Sequence, residues 1–270
     1  MIWTRRVALN GSQLDEVHSS VVIRGIEPGA GKDTITTVST GGPFGQRITG
    51  SRRDSLDIVV KFALDIKRGN LQARAEALEA VNAWAAAALP ERGGAWLTAG
   101  HKAERRIRVV LAQPAAEGDL WKWTEEFQLV FRACGVPYWD GELKSVSTDG
   151  NATGAAGTIT IGGSAITQVN AYLQNTSGAL ITQATIAIAG KNMRFSQIDL
   201  NAGETLTVDH TDDGILRLRI RSAAGSYRSI MAYRSPESAD DFTAYPGAMM
   251  YGFNAPRAGK LTVEWRDRYL

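Results

Sequence analysis

The chain has one cysteine, three histidines and eight prolines in 270 residues. With Cys134 alone, no intrachain disulfide can form, and a zinc site built on several thiolates is excluded. His18, His101 and His210 stand far apart, and none has the spacing of a metal-ligand pair. No apolar run approaches the ~20 residues needed to span a bilayer as a helix, so no membrane partner is expected. Met1–Asn10 carries arginines but no continuous apolar stretch, and does not read as a signal peptide. On that reading the chain is made and folded in a cytoplasm, and the sequons at Asn10, Asn151 and Asn175 stay unmodified.

An excess of either charge is also lacking. The formal net charge is +2, with 18 Lys/Arg against 16 Asp/Glu over residues 1–140 and 12 against 12 over residues 141–270. A duplex-binding domain concentrates its basic charge on one face or segment, so direct nucleic-acid recognition is not expected. The 44% hydrophobic and 21% charged fractions are those of a folded globular chain.

Catalytic constellations are missing in the same way. Gly29-Ala-Gly-Lys-Asp33 lacks both the leading glycine (Ile26 stands there) and the closing Ser/Thr of a phosphate-binding loop, so it reads as a turn. Trp121-Lys-Trp-Thr-Glu-Glu126 has the ingredients of a glycosidase cleft. Adjacent Glu125 and Glu126 in a strand would point to opposite faces, however, and could not flank one glycosidic bond. No nucleophile elbow occurs, and Cys134 has no histidine near it in sequence. Asp209-His-Thr-Asp-Asp-Gly214 reads as a solvated turn; a calcium loop would need ligands where Thr211 and Ile220 stand, although an ion near Asp209–Asp213 stays open. The chain reads as a non-enzyme without cofactor or resident metal.

What is present is alternation, and one helix. Leu71, Ala75, Leu78, Val81 and Ala85 recur at three- and four-residue spacing, with Asn70 as a cap and Pro90 as a stop, which predicts a helix over about 70–89 with Arg74, Glu76 and Glu79 on its wet side. Ser55–Ile66 alternates with Leu56, Ile58, Val60, Phe62 and Leu64 inward, a half-buried strand. Strands are also predicted at Trp96–Thr98, Arg106–Leu111 and Phe127–Phe131. Asp33–Ser39 and Gln46–Gly50 flank Thr40-Gly-Gly-Pro-Phe-Gly45 and predict a long hairpin, too poor in apolar residues to fill a core and therefore projecting. Gly41, Gly42 and Phe44 at its tip are candidate inter-subunit contacts.

Composition changes near residue 140. Lys144–Gly163 is rich in Ser, Thr, Gly and Asn, and Lys144–Gly150 reads as a short polar link. Beyond it come short strands at roughly ten-residue spacing: Gly157–Ile161, Ala179–Ala189, Glu204–Asp209, Ile215–Ser222, Tyr227–Tyr233 and Lys260–Arg268. Two domains follow, 1–143 with one helix and 144–270 all β. Leu216, Leu218, Ile220, Leu261, Val263 and Trp265 are expected inside the second. Arg217, Arg219 and Arg221 alternate with its core side and form a ladder that faces solvent, a neighbouring subunit or a partner.

Phe127-Gln-Leu-Val-Phe131-Arg-Ala-Cys-Gly-Val-Pro137-Tyr-Trp139, a strand closed by Pro-Tyr-Trp, resembles the distal tail proteins (Dit, or phage tail-component proteins) of long, flexible-tailed bacteriophages. The order of the hairpin, the strand into a helix carrying Trp84, Arg92-Gly-Gly-Ala-Trp96, Leu206-Thr-Val-Asp209, Phe242 to Gly247 and the closing Leu261–Leu270 is similar as well. The resemblance implies a tail-tube-like β-barrel or sandwich as the first domain and a galectin-like β-sandwich as the second. It implies a structural protein at the distal end of the virion tail, a homo-oligomeric ring, commonly a hexamer. That ring would join the tail tube protein to the baseplate, tail-associated lysin or fibre hub, and would anchor receptor-binding proteins. Two other readings stay open: a carbohydrate-binding module contacting host cell-surface sugar, and a cell-wall glycoside hydrolase motivated by the Trp/Glu cluster.

Overall fold

The computed structural model describes residues 6–28, 33–39, 46–53, 56–67, 69–99, 105–116, 126–135, 138–151, 154–212 and 214–270. Strands dominate, and among the described residues there is one α-helix. The chain divides into two compact units, Met1–Trp139 and Asp140–Leu270.

The first unit contains β1 (Val7–Leu9), β2 (Ser12–Gln13), β3 (Val21–Pro28), β4 (Asp33–Ser39), β5 (Gln46–Arg53), β6 (Asp57–Leu64), α1 (Leu71–Ala85), β7 (Ala95–Ala99), β8 (Arg105–Gln113) and β9 (Phe127–Ala133). Its sheet runs in the order β2-β1-β7-β8-β9-β6-β3. The centre is built from the alternation expected of β6: Leu56, Ile58, Val60, Phe62 and Leu64 are buried, while Asp57 faces out to Arg132 at 2.8 Å. Strands β4 and β5 pair antiparallel in a two-stranded sheet of their own, from Asp33↔Arg53 to Ser39↔Gln46. That is the hairpin predicted from the sequence.

Helix α1 begins where Asn70 Oδ1 accepts from the Ala73 amide at 3.1 Å, satisfying one orphan N–H of its first turn. Single 3₁₀ turns at Ala86–Ala88 and Pro90–Arg92 follow it. Its buried stripe is rotated from the expected one. Arg74, Ala77, Leu78, Val81, Trp84 and Ala85 are buried, whereas Ala75 is exposed and Leu71 half-buried. Arg74 goes inward because its guanidinium lies 5.8 Å from the centre of the Phe127 ring, a cation–π contact, and its aliphatic stem packs as an apolar group. Trp84 packs edge-on against Phe131 at 6.3 Å, with its indole N–H donating to the Ser12 carbonyl at 2.9 Å. Phe62 stacks on Phe127 at 5.5 Å.

The second unit contains β10 (Trp139–Gly150), β11 (Ala155–Ile161), β12 (Thr167–Asn175), β13 (Ile181–Ile188), β14 (Lys191–Leu200), β15 (Thr205–His210), β16 (Leu216–Arg221), β17 (Tyr227–Ser229), β18 (Thr243–Ala244), β19 (Gly247–Asn254) and β20 (Gly259–Tyr269). One sheet has the order β17-β16-β15-β12-β20-β10, with β18 beside β12; the other has the order β11-β19-β13-β14. One buried cluster joins both sheets, including Val169 and Leu173 from β12, Ile186 and Ile188 from β13, and Leu261 and Val263 from β20. Two sheets sharing one core make a β-sandwich.

Four expectations change. Lys144–Gly150, read as a polar link, belongs to β10, whose outer positions are polar because they are exposed. Residues 143 and 144 therefore sit within one strand, and the compact units meet in sequence at Trp139/Asp140. Leu216 is half-buried at the edge of the core, while Leu218, Ile220, Leu261, Val263 and Trp265 are inside. The stretch Tyr227–Tyr233 is strand only to Ser229; Met231–Tyr233 is a 3₁₀ turn.

Candidate functional site

The outer face of β16, β15, β12 and β20 carries a dense polar assembly. Alternation forces it. Leu218 and Ile220 point into the core, so Arg217, Arg219 and Arg221 point away from it, about 7 Å apart along the strand. The same parity puts Thr205, Thr207 and Asp209 outward on β15, Asn170, Tyr172 and Gln174 on β12, and Lys260, Thr262 and Glu264 on β20.

Register then builds rows across the strands. Arg221 faces Thr205, which faces Gln174, which faces Lys260. The next row is Arg219, Thr207, Tyr172 and Thr262. At the far end Arg217 faces Asp209, and Asn170 faces Glu264. Together with Tyr227 of β17, most of these side chains line an open groove of about 550 Å³.

Asp209 fixes one end of that groove. Its carboxylate is nearly buried and accepts from Arg217 Nη2, and from Arg219 Nη2 at 3.0 and 3.1 Å. The Arg219 guanidinium also lies 4.2 Å from the centre of the Tyr227 ring. Ionic hydrogen bonds and ring contact together hold this guanidinium in one orientation. Tyr172 stays a neutral phenol: burial, with the nearby Glu264 and Asp209 carboxylates, pushes its pKa up to about 12. Arg221 is exposed and makes no ion pair among the described residues. Glu204, one position before Thr205, is already held by Arg228 at 3.2 Å and by the Asn201 amide at 2.8 Å.

Beside the groove, His210 is half-buried, with its amide and its Nδ1 both within 3.1 Å of Asn170 Oδ1. Burial lowers its pKa below the ordinary histidine value.

The sequence candidates sort clearly against this geometry. Arg217, Arg219 and Arg221 come together on one face, though two of the three are tied to Asp209 rather than free to solvent. Asp209 and His210, expected in a solvated turn, lie within β15, and the oxygens of Asp209 are committed to guanidinium groups instead of an ion loop. Gly41, Gly42 and Phe44 lie outside the described residues, as do Gly29–Lys32, Trp121, Trp123, Glu125, His101 and Asp213. Glu126 is described and sits 3.7 Å from Lys61. No group of three or more His, Cys, Asp or Glu side chains suited to a metal occurs among the described residues. No helix there is long and apolar enough to cross a membrane. Tyr172, Gln174, Thr262 and Glu264 went unremarked in the sequence. Their signal was the period-two run of polar residues in Asn170–Gln174 and Lys260–Glu264, legible only once those strands are known to be neighbours.

These features define a two-unit, helix-poor β protein whose second unit presents a charged groove on one sheet. No protein-family model and no curated protein matches the chain. Among solved structures it is similar to the Dit protein of phage SPP1, described as a paradigm of the hub adsorption apparatus in phages that infect Gram-positive bacteria. The TM-score is 0.66 at 14% identity, over 98% of this chain and 99% of that one. A second likeness is to the baseplate of phage P2 in its activated, Ca-bound conformation, with a TM-score of 0.43 and 9% identity over 90% of each chain. At 14% identity, the first likeness establishes the fold.

Proposed function

We propose that the chain is a structural, non-enzymatic hub protein of a phage tail tip. The carrying observation is the end-to-end likeness in fold to the SPP1 hub protein, which leaves almost no part of either chain unmatched. In this reading the first unit is tail-tube-like and assembles into a ring, a hexamer, between the tail tube protein and the baseplate, tail-associated lysin or fibre hub. The second unit is a galectin-like sandwich that anchors receptor-binding proteins at the distal end of the virion. The hairpin of β4 and β5 supports the ring. Its strands pair with each other alone in the described chain, and a two-stranded ribbon is marginal in water without a further surface to pack on. In a closed ring a neighbouring copy provides that surface.

Light scattering on concentrated protein should give a multiple of 29.1 kDa, and deletion of residues 33–53 should reduce the mass to that of one chain while cooperative unfolding persists. A strict monomer at every concentration, together with absence from the distal end of purified tails, would refute the reading.

A further inference from the structure

We infer that the groove of the second unit binds an acidic saccharide, with its carboxylate or phosphate held at the Arg221 end. The inference stands on the groove alone and does not depend on the tail-tip reading.

Charge is distributed unevenly along the groove. At one end, the Asp209 carboxylate is shared by Arg217 and Arg219, and with Glu264 two carboxylates balance two guanidinium groups. At the other end, the lining is Arg221, Thr205 and Gln174, a cation with no carboxylate beside it. An anionic group placed there meets a planar guanidinium fork. The remainder of the lining suits hydroxyl groups. Thr205, Thr262, Gln174 and the neutral phenol of Tyr172 both donate and accept, and Glu264 accepts. Tyr227, about half exposed, adds an apolar ring surface at the rim. Arg219 is pre-positioned by Asp209 and Tyr227, and Thr262 by Ser147 at 2.8 Å, which lowers the ordering cost of binding at those two positions. A volume of about 550 Å³ lies within the ~300–1,000 Å³ of small-ligand sites.

A purely anionic polymer would find no net positive charge at the Asp209 end, while a neutral sugar would leave Arg221 unused. The distribution therefore favours a ligand with one acidic group and several hydroxyls per repeat.

The test uses the full chain in calorimetric titrations with four probes: a uronic-acid oligosaccharide, a phosphorylated oligosaccharide, the corresponding neutral oligosaccharide, and a Glu-rich peptide. Binding of one or both acidic saccharides is expected, and which one binds identifies carboxylate or phosphate as the anion. Arg221→Ala, at an exposed position that leaves the fold intact, should weaken that binding at least tenfold. The inference is overturned if neither acidic saccharide binds at millimolar concentration, if the neutral one binds equally well, if Arg221→Ala has no effect, or if only the peptide binds.

Discussion

His210 and Asn175 show how far single residues depend on their surroundings. Asn175 opens a glycosylation-type sequon, yet its side chain is fully buried. Its amide donates to the carbonyls of Ala179 and Leu200 at 2.8 Å each, and its Oδ1 accepts from the amide and hydroxyl of Ser177. The residue pins the β12–β13 connection. His210 is a neutral imidazole stabilised by burial, with Asp209 and Asp241 favouring its charged form and Arg268 and Arg217 opposing it. Because its folded pKa lies below the unfolded value of 6.5, its contribution is fully present above pH 6.5 and is lost as pH falls through the folded pKa. Urea unfolding should therefore show stability declining below pH 6.5, by at most about 1.4 kcal/mol per pH unit from this one group. His210→Gln should flatten that part of the profile. An unchanged slope in the variant would assign the decline to other groups.

At the scale of elements, α1 and β6 carry the first unit. Leu78 is 1% exposed on the helix and belongs to the stripe that covers the sheet. An ammonium there would sit one helical turn from the buried Arg74 guanidinium, so Leu78→Lys should cost about 3–5 kcal/mol, while Leu78→Met, which keeps the volume, should cost less than about 1.5 kcal/mol. Thermal unfolding of both variants checks this. Equal losses would show that shape rather than desolvation governs the position. The strands that escaped the sequence reading failed it for local reasons. In β14, Gln197 takes a left-handed φ of 58°, and the register with β13 slips there. Met193 and Phe195 are buried before the slip and Ile198 and Leu200 after it, so no single alternation covers the strand. In β12 the inward positions are Thr167, Val169, Ala171, Leu173 and Asn175, two of them polar and one small. Their burial follows from central placement between β15 and β20, which composition does not reveal.

For the whole molecule, each unit is compact and has its own buried side chains, which is the condition for independent folding. Residues 1–139 and 140–270, expressed separately, should both unfold cooperatively. The first fragment should retain the ring and the second should be monomeric. If the second fragment alone assembles, the proposed division of labour is wrong whatever the fold. A fragment boundary at 143/144 should serve less well, because it cuts deeper into β10, whereas 139/140 removes only its first residue.

The sequence by itself determined what depends on neighbours along the chain. The capped helix, the inward alternation of β6, the hairpin of β4 and β5, and the outward parity of Arg217, Arg219 and Arg221 all follow from periods of 3.6 or 2 and from turn residues. Only the tertiary structure decided what those side chains meet. It put Arg74 beneath the helix, because Phe127 lies there to receive a cation. It drew Asp209 out of a supposed turn and between two arginines. It set Gln174 and Lys260 in line with Arg221. Asp209 meets its arginines across a hairpin, but the Arg74 contact and the row through Gln174 join segments far apart in sequence, and a local pattern holds no information about which distant segment will lie beside it.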